Sequence, residues 1–138
     1  MQPVSINFLA LLTCGVINMV LGYAWFGPLF GKEWIKLIGM SDKKMEEAKA
    51  KGMGKLYAIA FIGALVMAFV LAHAVNYAGA KSISEGMMVG FWNWLGFIAV
   101  TQLGGWLWEG KPFKFFTISA GYYLITLMIM GAILAVWV

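Results

Sequence analysis

The chain has 138 residues, of which 62% are hydrophobic, and it carries 10 lysines, no arginine and 6 acidic residues, for a net charge of +4. A soluble globular fold is excluded because the long apolar runs have no charged face, and the length fits one domain. Nucleic-acid binding is disfavoured because the lysines lie between the apolar runs. One cysteine, Cys14, allows neither an intrachain disulfide nor a cysteine metal site.

Four apolar runs make up most of the chain, with charged residues only at their edges. Each is at least about 20 residues long, the length that a helix needs to cross a hydrocarbon core of about 30 Å. The sequence therefore predicts an all-α integral membrane four-helix bundle. Its predicted spans are residues 4–27, 56–78, 83–108 and 114–138.

The first predicted span ends at Gly27, because Pro28 lacks a backbone N–H and restricts the residue before it. Residues 29–54 are predicted to form a cytoplasmic helical loop. Its first part mixes apolar residues with lysines, a pattern typical of a segment lying on the membrane surface. Ser41 is the predicted N-cap of a short polar helix, and Gly52 is its predicted stop.

Lysines are distributed unequally between the two ends of the predicted bundle. Seven lie between the first and second spans and two between the third and fourth, whereas only Lys81 lies between the second and third. Since lysine-rich loops stay in the cytoplasm, we predict a multi-pass protein of the bacterial inner membrane with both termini outside. The basic charge then reflects topology, together with attraction to anionic membrane lipids.

The two halves of the chain share a weak internal similarity. The order Leu-Gly, Trp, Gly, Pro, Phe occurs in residues 21–30 and again in residues 103–113. This order suggests a tandem two-helix hairpin repeat, as in transporters with parallel repeats. The alternative is that membrane borders collect these residue types in any case.

Small residues recur at helical spacing on the first three spans and predict close packing of helices. Such residues let helix backbones approach one another, which drives association where lipid removes the hydrophobic effect. They are Gly15 and Gly22 in the first span, Ala60, Ala64, Ala68 and Ala72 in the second, and Gly86 and Gly90 in the third. These faces suit either the bundle itself or a homo-oligomer.

Polar side chains also occur at membrane depth, where an unpaired amide is costly. They are Asn18, Asn93, Thr101 and Gln102. Two interpretations stay open: hydrogen bonds between helices, or a polar permeation path between Asn18 and Asn93. Trp92 and Trp94, on either side of Asn93, are too deep for the interfacial aromatic belt.

A second polar group is predicted at the outer ends of the spans. It comprises Asn7, His73, Asn76 and Glu85. His73 is the only histidine, so a proton-linked role is one interpretation and an interfacial hydrogen bond is another. One histidine and one carboxylate are too few ligands for zinc. Because the sequence has no nucleophile–base pair or phosphate-binding glycine loop either, we predict no metal, cofactor or catalytic residue.

Three segments carry a resemblance to a known family. They are LGYAWFGPLFGKEW at residues 21–34, GFWNWLGF at 90–97 and EGKP at 109–112, with Asn7 before them. Together they resemble the bacterial membrane family catalogued as domain of unknown function 1761, over nearly the whole chain. The first segment is the most specific, and Phe26 departs mildly from a family that often has Tyr there. The resemblance implies a small four-helix membrane protein and brings no established activity, substrate or site residue.

Two function classes remain for such a chain. In the first, it is a non-catalytic membrane component that self-associates, or joins a larger membrane assembly, through its small-residue faces. In the second, it is a small channel or transporter for an ion or small polar solute. The first is favoured because packing accounts for each polar residue at membrane depth.

Overall fold

The computed structural model describes residues 3–39 and 41–137. Within these ranges every regular element is a helix, and four helical segments are long and apolar enough to cross a membrane. They are Phe8–Leu29, Gly54–Tyr77, Ile83–Trp108 and Phe113–Val136. The predicted all-α, four-span architecture is confirmed.

We number the helices in chain order. α1 is Phe8–Ala24, α2 Gly31–Ile38, α3 Asp42–Ala50, α4 Gly54–Tyr77, α5 Ile83–Trp94, α6 Val100–Trp108 and α7 Phe113–Val136. Two π-helical turns, Trp25–Leu29 and Leu95–Ala99, extend α1 and join α5 to α6. Short connections make consecutive spans antiparallel. Helices α2 and α3 therefore lie at one end of the bundle, which we call the lysine-rich end. Asn7 and Trp137 lie at the opposite end, which we call the terminal end. The hairpin repeat stays a prediction.

The first span continues past Pro28. The sequence predicts a stop at Gly27, whereas the helical path continues in a π-helical turn to Leu29. The backbone N–H of Phe30 donates to the carbonyl of Trp25 at 2.9 Å, across five residues instead of the usual four. This wider turn accommodates the proline ring and needs no hydrogen bond from the missing N–H, so the proline is tolerated inside the helix.

Helices α2 and α3 carry the chain along the lysine-rich end. Gly39 ends α2 at a φ of 69° and Gly52 follows α3 at a φ of 88°, a left-handed conformation that glycine adopts without a Cβ clash. The Ser41 hydroxyl accepts a hydrogen bond from a backbone N–H of the first turn of α3 and forms its N-cap. The Trp34 ring of α2 stacks on Phe115 of α7, with 4.8 Å between ring centroids.

Helix α7 is the centre of the bundle. In its most apolar window 44% of the residues are buried, against 17–22% in the other three spans, and it packs against α1, α4 and α5. Its closest neighbour is α5, because a Cβ atom added to Gly86 or Gly90 would collide with the α7 backbone at Gly131 or Leu127. Side-chain-free positions on both helices therefore allow direct backbone contact, as is common between membrane helices.

The other small residues also pack within the bundle, with one exception. On α4, Ala64 and Ala68 are buried and Ala72 is half-buried, whereas Ala60 is exposed beside a cavity. Gly15 on α1 is buried against two α4 side chains, which a Cβ atom there would approach to 2.9 Å. A Cβ atom added to Gly22 would lie 3.2 Å from the hydroxyl oxygen of Tyr122 on α7.

The hydrophobic core fills the terminal half of α1, α4 and α7. Its buried side chains are Leu11, Cys14, Ala68, Leu71, Val75, Leu127, Met130 and Ala135. Towards the lysine-rich end, the same three helices enclose a cavity in place of packed side chains. This unpacked half is where a ligand has room within the bundle.

Candidate functional site

The cavity between α1, α4 and α7 has a volume of about 630 Å³. Its walls are mainly aromatic or small, and they include Asn18, Tyr23, Tyr57, Gly63, Tyr122 and Tyr123. Asn18 lies half-way along the 22-residue helical segment Phe8–Leu29, so the cavity reaches the middle of the span. The volume lies within the range of about 300–1,000 Å³ typical of small-molecule sites.

Asn18 and Tyr122 form the polar base of this cavity. The Tyr122 hydroxyl lies 2.7 Å from the Asn18 side-chain oxygen and 2.8 Å from the Asn18 backbone oxygen, and it donates its one proton to either. The Asn18 amide nitrogen donates no hydrogen bond to residues 3–39 or 41–137. Tyr122 is absent from the sequence-based site, although its mid-span hydroxyl also requires a partner at this depth.

Two of the remaining polar residues of the predicted path bond within their own span. The Asn93 amide donates to the backbone carbonyl four residues earlier at 2.9 Å, and the Thr101 hydroxyl does the same at 2.7 Å. Thr101 and Gln102 line a separate cavity of about 400 Å³ near Glu109. Thr101 and Gln102 therefore lie at one cavity, apart from Asn18. No hydrogen bond within the described residues joins Asn18 to Asn93.

The polar residues predicted at the outer ends of the spans mostly serve local structure. Asn7 accepts hydrogen bonds from two backbone N–H groups in the first turn of α1, and Glu85 forms a capping box with Ser82 at the start of α5. The His73 ring nitrogen Nδ1 lies 2.8 Å from a backbone oxygen of its own helix. Asn7 and Asn76 share a cavity of about 140 Å³. In the described ranges no group of three His, Cys, Asp or Glu side chains is placed to hold a metal ion.

Two tryptophan indoles, absent from the predicted site, attach neighbouring helices to α7. Trp25 Nε1 donates to the backbone carbonyl of Ile118 at 2.9 Å, and Trp94 Nε1 donates to that of Ala120 at 2.7 Å. These bonds explain the depth of Trp94, because its N–H group has a protein partner away from the membrane surface. The sequence marks Trp94 as unusual but does not indicate which carbonyl it reaches.

Exposed charges pair at the lysine-rich end. Lys114 Nζ lies 2.8 Å from a Glu33 carboxylate oxygen and links α7 to α2. This hydrogen bond and the attraction of the ammonium group hold the pKa of Glu33 below its ordinary value. Lys111 lies 3.5 Å from Glu109 and 4.7 Å from the centre of the Phe115 ring. Of these two exposed pairs, Lys114–Glu33 contributes modestly to the docking of α2 on α7. None of the four side chains lines the Asn18 cavity.

A family described as "Protein of unknown function (DUF1761)" matches residues 9–135. The chain belongs to this family. The match extends over parts of all four spans and includes both Asn18 and Tyr122. No curated protein and no solved structure matches the chain. Because the family description gives no activity, the function has to be argued from the chemistry of the chain itself.

Proposed function

We propose that this protein is a non-catalytic membrane component that self-associates, a second copy packing on the outward face of the span formed by α5 and α6. The observation that supports this is the exposure of large aromatic side chains deep in the span. Trp92 is 59% exposed and Phe97 is 73% exposed. Trp92 lies about 5 Å along the helix axis from the midpoint of the 26-residue span.

A lipid-facing tryptophan at this depth is unfavourable. Tryptophan concentrates at membrane interfaces, where its ring is in an apolar environment and its N–H group reaches water or headgroups. Trp25 and Trp94 satisfy their N–H groups with α7 carbonyls, whereas Trp92 donates no hydrogen bond to the described residues. Its ring contacts only a neighbour on its own helix, Phe91, among the ring pairs in those residues. Cover by another protein surface resolves this unfavourable exposure.

The same face has room for an approaching helix. Gly96 lies four residues after Trp92 and so on the same side of the helix. A Cβ atom added to Gly96 would meet nothing within 4 Å, so the backbone is open to a partner at the middle of the span. Two copies of one chain share the same orientation in the membrane, and a two-fold axis along the membrane normal brings identical faces together. A small residue one helical turn from an exposed aromatic ring suits such a contact.

Cysteine cross-linking in lipid bilayers tests this proposal. Cys14 is fully buried, so a single introduced cysteine reports on its own position. We expect Gly96→Cys to form a disulfide-linked dimer on brief oxidation, whereas Val66→Cys, at the midpoint of α4 and 57% exposed, remains monomeric. Dilution with lipid should leave the Gly96→Cys dimer unchanged. Equal cross-linking at both positions would mean random collision and would contradict the proposal.

A small channel or transporter for an ion or small polar solute is the alternative proposal. The observation that favours it is the Asn18 cavity, which extends from the lysine-rich half to the middle of the span. In that case Asn18→Leu stops flux in liposomes while the helix content is preserved, and Asn93→Leu does so too if the path continues to α5. Unchanged flux in both variants removes this alternative.

We also propose the orientation and location of the protein. The loop of α2 and α3 is cytoplasmic and both termini lie outside, in a bacterial inner membrane, which the excess of nine lysines over one at the two ends supports. In spheroplasts, an impermeant thiol reagent should label Ser84→Cys and not Glu46→Cys, two exposed positions at opposite ends. The reverse labelling would contradict this orientation.

A further inference from the structure

The cavity at Asn18 opens towards lipid. Two of its wall residues, Tyr23 on α1 and Tyr57 on α4, are 77% and 56% exposed on helical segments that are long and apolar enough to cross a membrane. Gly63 on α4 leaves part of the cavity wall without a side chain. A molecule dissolved in the bilayer therefore reaches the cavity sideways, between α1 and α4, without passing through water.

The walls favour a flat, apolar molecule. Four of the five tyrosines of the chain line the cavity, together with Phe26 and two methionines. Aromatic faces stack on flat rings, and methionine side chains adapt their shape to a ligand. No Asp, Glu, Lys or His side chain is among the residues that line it, so a charged group would lie there without a counter-charge. The occupant is therefore neutral where it lies inside the cavity.

The base requires a hydrogen-bond acceptor. Asn18 lines the cavity at mid-span, and its amide nitrogen has no acceptor in the described residues, whereas its side-chain oxygen lies 2.7 Å from the Tyr122 hydroxyl. An amide N–H group left unpaired in hydrocarbon is unfavourable. A ligand carbonyl oxygen satisfies this donor directly. The Tyr122 hydroxyl is held 2.7 Å from Asn18 and keeps the amide group oriented.

We propose that this cavity binds a neutral, ring-bearing amphiphile of the quinone class, with a ring carbonyl accepting a hydrogen bond from Asn18 and the hydrocarbon tail leaving between Tyr23 and Tyr57. The tail then lies among the lipid chains, and no charged group is buried. The site lies on α1, α4 and α7, away from the proposed contact face on α5. Binding here and self-association are therefore separate properties.

Direct binding to the full chain in lipid nanodiscs tests this proposal, with an alkyl-substituted benzoquinone as the probe and native mass spectrometry as the readout. We expect saturable binding of one quinone per chain. Asn18→Leu should weaken it about tenfold, which corresponds to one hydrogen bond of about 1.4 kcal/mol. Asn93→Leu is the matched control, because its amide bonds within α5 and does not line the cavity, and it should leave the affinity unchanged.

A second variant keeps the test decisive if Asn18→Leu folds poorly. Gly63→Leu adds a side chain to the cavity wall at a position where a Cβ atom meets nothing within 4 Å, so it narrows the cavity, and it should abolish binding. Equal binding to all variants would mean that the quinone only partitions into lipid, which overturns the proposal. Binding lost in Gly63→Leu but unchanged in a folded Asn18→Leu also overturns it, because apolar contacts alone, such as those of a phospholipid acyl chain, then fill the cavity.

Discussion

Gly90→Ala probes the backbone contact between α5 and α7. The added Cβ atom would collide with the carbonyl group of Leu127 and lie 3.0 Å from the Met128 Cα atom. Backbone atoms cannot rotate away, so the helices must separate, and we take the upper end of the overpacking cost, about 3 kcal/mol. Alanine recovers about 1 kcal/mol of helix propensity over glycine. The net loss in the free energy of unfolding is therefore about 2 kcal/mol.

Gly63→Ala is the matched control for this substitution. It makes the same chemical change inside a membrane-spanning helix, but its Cβ atom meets nothing within 4 Å, so only the propensity gain of up to about 1 kcal/mol applies. Reversible unfolding in mixed micelles titrated with SDS, followed by tryptophan fluorescence, measures both variants. We expect them to differ by about 3 kcal/mol. If Gly90→Ala proves as stable as Gly63→Ala, the reasoning from backbone contact is refuted.

Two further predictions concern bonds to α7. Trp94→Phe removes the indole donor to the Ala120 carbonyl and should lower the free energy of unfolding by about 1 kcal/mol in the same assay. Trp92→Phe loses no such bond and should lower it little in the monomer. Equal losses in the two variants would show that the bond to Ala120 does not contribute. The Glu33 carboxyl should titrate in NMR below the ordinary pKa of about 4.3, and Lys114→Gln should raise its pKa towards that value. Because the folded-state pKa is lowered, the pair stabilises the docking of α2 above the ordinary pKa, and this contribution is lost as the pH falls through the lowered value. An unshifted titration of Glu33 would contradict the pairing.

The terminal and lysine-rich halves of the bundle differ in packing, and the two proposals concern different parts of the protein. Core side chains such as Met130 fill the terminal half of the bundle. The other half contains the cavity that Gly22, Gly63 and four tyrosines line. The aromatic side chains Trp92 and Phe97 lie on a different surface, that of α5 and the turn after it. A variant that affects one property should therefore leave the other intact, since substitutions at distant, independent sites act separately.

Local features were predictable because their causes lie within a few neighbouring residues. The four spans follow from unbroken apolar runs, and the turn at Gly52 from the left-handed conformation that glycine tolerates. The continuation of the first helix through Pro28 was not predictable by the same rule. A proline disfavours the α-helical hydrogen bond, but a π-helical turn offers an alternative bond from Phe30 to Trp25.

By itself the sequence determined that the chain is helical, that four helices are apolar enough for a membrane, and that Asn18 requires a partner at mid-span. Only the tertiary structure decided that this partner is Tyr122, that Trp94 bonds to Ala120, and that Asn93 stays within its own helix. The physical reason is that apolar length is a property of a single segment. Pairing depends instead on which helices meet and at what rotation, and in this bundle the glycine contacts between α5 and α7 help to set both.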